Sequence, residues 1–130
     1  ATLAPVFDCG SCLLPQADER IMNTVLNNGD ELNARIFRFP TSAIKLNGRK
    51  INYYDFLQAA ENQDCNDAVM RMAPRINMDE ICAFIEKVPF LDATQRRFYQ
   101  VYLAARNQRI IEPAYTHLLE LQSLSPTLEM

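Results

Sequence analysis

Apolar residues recur at helical spacing between prolines and polar caps, and this pattern constrains the fold more than any other feature of the chain. Ile81, Phe84, Ile85 and Val88 fall at i, i+3, i+4 and i+7, which places them on one stripe of a helix. Asn77, with Glu80 three residues on, makes a capping-box-like start. Pro89 stops the helix, because it lacks an N–H and its ring collides with the preceding turn. Asp92 with Gln95 repeats the capping pattern and opens the longest helix, whose apolar face is Phe98, Val101, Tyr102, Ala105 and Ile110. The spacing predicts helices over 77–88 and 92–109, packed through Ile81, Phe84, Ile85, Phe98, Val101 and Tyr102. Arg96, Arg97, Arg106 and Arg109 keep the other faces of the long helix charged. A last helix begins near Pro113, with Tyr115, Leu118, Leu119 and Leu121 as its buried side.

The same logic runs upstream. Asp18 is a good N-cap, followed by Ile21, Met22, Val25 and Leu26 at helical spacing and by Asn28-Gly29 as a stop. Residues 30–43 read two ways: a helix with Leu32 and Ile36 on one face, or a short strand at Phe37-Arg38-Phe39, either ended by Pro40. Asn47-Gly48 tolerates positive φ at both positions, as a two-residue hairpin turn demands, so residues 44–51 read as a small β-hairpin. Asn52 opens a helix carrying Phe56, Leu57 and Ala60. Asp64 caps another whose stripe is Cys65, Ala68, Val69 and Met72, ending before Pro74. At the amino terminus Leu3-Ala4-Pro5-Val6-Phe7 is a short apolar run broken by proline, which fits an edge strand. The fold class is mainly α, five or six helices with a short strand and one small hairpin in the first third. It forms a single domain over residues 1–130, with 123–130 a flexible tail. A start at Ala1, running straight into strand-like residues, is that expected of a piece of a larger protein.

Composition narrows the function. The chain carries 13 Lys and Arg against 16 Asp and Glu, a net charge of −3, and its basic residues are scattered. Nucleic-acid binding draws most of its affinity from a clustered basic face, so direct binding to nucleic acid is not expected. The pairs Arg49-Lys50 and Arg96-Arg97 read as solvated surface. No apolar run approaches the ~20 residues of a membrane span, and no export signal is visible, which points to the cytoplasm. There the four cysteines are expected to be reduced.

Few residues could carry chemistry. Asp8-Cys9-Gly10 ends the apolar run: a carboxylate on a turn that glycine lets the backbone make without a side-chain clash. Such a carboxylate can ligate a hard cation such as Mg²⁺, and taken alone the triplet is equally an ordinary polar turn. Cys9 and Cys12 form a C-x-x-C pair, a spacing that suits a redox dithiol or half a zinc site. Zinc needs two further ligands, and His117 is the sole histidine, so these thiols are expected to be metal-free packing residues. His117 itself has no carboxylate or serine grouped with it and reads as a packing histidine.

Leu3-Ala4-Pro5-Val6-Phe7-Asp8-Cys9-Gly10-Ser11 resembles the L-A-P-x-[aromatic]-D-x-G-S segment of HipA-like serine/threonine protein kinases. The resemblance continues through Asn47-Gly48-Arg49-Lys50-Ile51-Asn52-Tyr53, Arg96-Arg97-Phe98-Tyr99, and Arg106, Ile110 and Pro113-Ala114-Tyr115, in that family's helical C-terminal lobe. It implies that Asp8 ends a strand below the nucleotide and helps hold Mg²⁺ in a kinase that uses ATP. It also implies a protein substrate and, in a toxin–antitoxin setting, an antitoxin-like partner. The family's phosphate-binding loop, nucleotide lysine and catalytic-loop aspartate and asparagine lie upstream of this motif, and none is found after it. The resemblance therefore assigns no catalytic residue to this chain and no tightly bound ATP or Mg²⁺ to it in isolation. The reading from a different class is a non-catalytic helical module that binds a partner in a groove between helices.

Overall fold

The computed structural model of the chain describes residues 17–38 and 44–124. The expected strand at residues 3–7 lies outside them, as does most of the expected tail at 123–130. The described residues are mainly α, with one small antiparallel hairpin.

Asp18 caps α1 (Glu19–Asn27) by accepting from the Ile21 amide at 2.8 Å. Asn28 then ends that helix and starts the next in one step. Its extended backbone breaks α1, while its side chain accepts from the Asp30 and Glu31 amides of α2 (Gly29–Phe37). This cap, with two acids in the first turn and Arg35 in the last, suits the helix dipole. It resolves the double reading of residues 30–38 in favour of helix and accounts for a seventh α-helix among the described residues, beyond the expected five or six.

The hairpin forms where Asn47-Gly48 predicts it. Strands β1 (Lys45–Leu46) and β2 (Arg49–Lys50) pair Lys45 with Lys50 and Leu46 with Arg49, and the turn residues take φ of 54° and 79°. Asn52 caps α3 (Tyr53–Ala59), which ends on Ala60 in the left-handed region. The next cap differs from expectation: α4 (Gln63–Met72) is capped by Asn62, whose side chain accepts from the Cys65 amide, while Asp64 sits in the first turn. Asn62 lies three residues before that amide, the reach a capping side chain needs, and Asp64 lies too close. A short 3-10 turn, Ala73–Arg75, absorbs Pro74 and leads to α5 (Met78–Glu86), capped by Asn77.

Helix α6 (Ala93–Arg106) opens with a full capping box: Asp92 accepts from the Gln95 amide at 2.8 Å, and Gln95 accepts from the Asp92 amide at 2.9 Å. It runs through a π turn, Asn107–Ile111, directly into α7 (Glu112–Leu124). The expected break near Pro113 is instead this bulge. Proline offers no N–H to the turn before it and crowds the carbonyl four residues back, so the backbone widens there. The Glu112 amide bonds to the Asn107 carbonyl, and Gln58 donates to the Ile110 carbonyl at 3.3 Å.

This continuous spine carries the core in three clusters. Met22 and Val25 of α1 close on Phe98; Ile36 of α2 closes on Ala105 and Ile110; Val69 of α4 closes on Ala114 and Leu118. Leu32 joins the first cluster to the second, and Leu57 the second to the third. Each fully buried large side chain contributes about 1.5–3 kcal/mol relative to exposure. Phe98 and Tyr102 stack with centroids 5.7 Å apart, both 1% exposed.

Four expected core residues are on the surface. Phe84 is 71% exposed, while Ile85 beside it is buried, so the stripe of α5 facing α6 is narrower than its spacing suggests. Met72 is 53% exposed, and Met70 packs on the third cluster instead. On α7 the buried residues are Ala114 and Leu118, while Leu119 and Leu121 are exposed. Ala114 and Leu118 together make the contact of α7 with Val69 of α4. Among the described residues, no helix is long and apolar enough to cross a membrane.

Candidate functional site

Asp8, the residue expected to ligate a metal, and the thiols Cys9 and Cys12 lie outside the described residues. What is described is the scaffold that follows them. Ala17 and Asp18 lead into α1, Ala17 packs on the Met22–Val25–Phe98 cluster, and that cluster ties α1 to the first half of α6. Phe98, 1% exposed, thus anchors the start of α1 to α6.

Of the other candidates, Cys65 and Cys82 are half-buried free thiols. His117 is half-buried on α7 and borders an open depression of about 360 Å³ with Gln108, Glu112, Pro113, Thr116 and Glu120. Among the described residues, no three of His, Cys, Asp and Glu are grouped to hold a metal ion.

The arginines of α6 do more than solvate its outer faces. Arg96 is half-buried and donates to the Val88 carbonyl at 2.8 Å, pinning the corner between α5 and α6, while Arg97 is exposed as expected. Gln100 strengthens the same joint through the Cys82 carbonyl and the Glu86 carboxylate. Further along, Arg106 donates to the Tyr102 hydroxyl, which in turn donates to the Arg35 carbonyl at 3.5 Å. Arg109 donates to the Asn33 side chain. These bonds cross from α6 and the π turn to α2 and fix the angle between the elements. The bonds to Arg35, Asn33, Cys82 and Glu86 join residues 14 or more positions apart and leave no mark in local spacing, whereas Arg106 and Tyr102 are one helical turn apart.

The chain is 49% identical over 120 residues to the serine/threonine-protein kinase CtkA of Helicobacter pylori strain J99, a match that takes in 92% of this chain and 37% of that kinase. The crystal structure of the Helicobacter pylori proinflammatory kinase CtkA matches it with a TM-score of 0.87 at 48% identity, covering 93% of this chain and 44% of that one. The chain thus spans less than half the length of these relatives. No protein-family model matches it. The chain is homologous to part of a serine/threonine-protein kinase, and its helices and hairpin are the fold of that part.

Proposed function

We propose that this chain is the helical C-terminal lobe of a HipA-like, ATP-dependent serine/threonine protein kinase, and that Asp8 supplies one of its magnesium ligands. The observation that carries the reading is 49% identity to a serine/threonine kinase across 92% of the chain. The Asp8-x-Gly10 motif and its flanking residues add the HipA-like character.

In phosphoryl transfer the protein's work is positioning and charge neutralisation, with Mg²⁺ bridging the nucleotide phosphates. Asp8 would be one of the residues that hold that ion and offset the phosphate charge. The residues that cradle ATP and orient the substrate hydroxyl belong, on this reading, to the part of the kinase upstream of Ala1. The substrate is a protein in the cytoplasm, and the family resemblance adds an antitoxin-like partner.

The test compares radiolabelled-phosphate transfer by the whole protein and by its Asp8→Asn variant. Loss of one group that stabilises transition-state charge lowers turnover by about 10²–10³-fold, so the variant should fall by at least that much while keeping its melting temperature. Full activity in Asp8→Asn removes Asp8 from the mechanism. A whole protein with no glycine-rich loop, nucleotide lysine or aspartate-bearing catalytic loop ahead of Ala1, and no transfer activity, leaves the helical interaction module as the function.

A further inference from the structure

The hairpin of residues 45–50 is the least packed element described. Every residue from 45 to 50 is exposed. A two-stranded hairpin is marginally stable on its own, and this one sets Lys45 directly opposite Lys50. Like charges facing each other across strands destabilise the pair. Arg49 adds a third cation, opposite Leu46, which is 48% exposed. Among the described residues, none of these three cations is in an ion pair with a carboxylate, although the chain as a whole carries a net charge of −3. A cationic ribbon thus stands out from an acidic domain. Its shape is fixed by the left-handed turn at Asn47 and Gly48 and by the Ile51 amide, which bonds to the Ile44 carbonyl at 3.0 Å and extends the ladder.

We propose that this hairpin is a docking element for an acidic, extended polypeptide segment of a partner protein. Side chains alternate between the two faces of a strand, so Lys45 and Lys50 lie on one face and Leu46 and Arg49 on the other. An added strand presents alternate side chains to both faces while its backbone pairs with the ribbon edge. A segment mixing carboxylates with apolar residues matches that lining: the acids relieve the Lys45–Lys50 repulsion, and an apolar side chain covers Leu46. Nucleic acid fits less well, because affinity for phosphates grows with the number neutralised and the ribbon offers three cations in an acidic chain. The inference rests on the hairpin alone and stands or falls independently of phosphoryl transfer.

The experiment measures fluorescence anisotropy of a labelled Glu–Leu repeat peptide titrated with the 130-residue chain. The charge-reversed variant Lys45→Glu/Arg49→Glu/Lys50→Glu and the neutral variant Lys45→Gln/Lys50→Gln are run alongside, with circular dichroism to check folding. A Lys–Leu repeat peptide and a single-stranded oligonucleotide serve as competing ligands. The expected result is salt-sensitive binding of the Glu–Leu peptide, weakened about tenfold or more by reversal and less by neutralisation, with the reversed chain now preferring the Lys–Leu peptide. Equal binding by folded wild-type and reversed chains overturns the proposal. Tighter binding of the oligonucleotide than of the acidic peptide overturns it in favour of nucleic acid. A wild-type chain that ignores every ligand, beside a neutral variant that self-associates, shows that the lysines serve only to keep the ribbon edge from pairing.

Discussion

Arg106 donates a 3.0 Å hydrogen bond to the hydroxyl of Tyr102, one turn earlier in α6, and its guanidinium carbon lies 5.5 Å from the centre of the same ring. Tyr102 is 1% exposed and stacks on Phe98, so one aromatic side chain joins the core to the polar seam between α6 and α2. The ring and the hydroxyl contribute different things, and substitutions separate them.

Tyr102→Phe keeps the stacked ring and removes the hydroxyl. The lost hydrogen bonds cost about 1 kcal/mol, with Arg106 freed to reach solvent. Tyr102→Ala also opens a cavity beside Phe98 and costs about 3–5 kcal/mol. Urea denaturation of both variants checks this. Equal losses would mean that the hydroxyl network, and not the ring, holds the spine.

Phe84 and Ile85 give a second contrast. Phe84→Ala removes a side chain that is 71% exposed and should change stability by no more than about 0.5 kcal/mol. Ile85→Ala removes one that is 6% exposed and should cost about 2–5 kcal/mol. Thermal melts of the two variants suffice, and a large loss for Phe84→Ala would restore it to the core face of α5.

That contrast marks where the sequence was legible. Four caps are legible because a cap is a local event: Asp18, Asn52, Asn77 and Asp92 each accept from the amide three residues on, whereas the cap expected at Asp64 falls on Asn62. The Asn47-Gly48 turn was legible for the same reason, since its φ angles are set by those two residues. Burial was read less well. Periodicity gives the direction of an apolar stripe but not its width, which depends on what packs against it. Phe84, Leu119 and Leu121 are in register with their stripes and yet lie beyond the edge of the covering helices. The Tyr102–Arg35 and Arg109–Asn33 bonds depend on tertiary contacts and leave no local signal, whereas the π turn has one in Pro113, which marks a break without giving its form. The Asp8-x-Gly10 motif was legible only as a resemblance, and it falls outside the described residues.

The proposed division of a kinase between this lobe and an upstream part has a consequence for the lobe by itself. Transfer needs a nucleotide cradle, a group that orients the hydroxyl, and metal ligands held together. Asp8 alone should bind Mg²⁺ weakly, because that ion gives up its waters reluctantly and relies on nucleotide phosphates as further ligands. A ligand present at a hundred times its dissociation constant stabilises a fold by about 2.7 kcal/mol, which for a domain of this size raises the melting temperature by roughly 10 °C. The 130-residue chain with millimolar MgATP should show no such shift and should transfer no labelled phosphate, whereas the whole kinase should do both. A shift of that size in the isolated chain, abolished by Asp8→Asn, would place a complete nucleotide site within residues 1–130. The assignment of the ATP cradle to upstream sequence would then be wrong, although the kinase reading itself would survive.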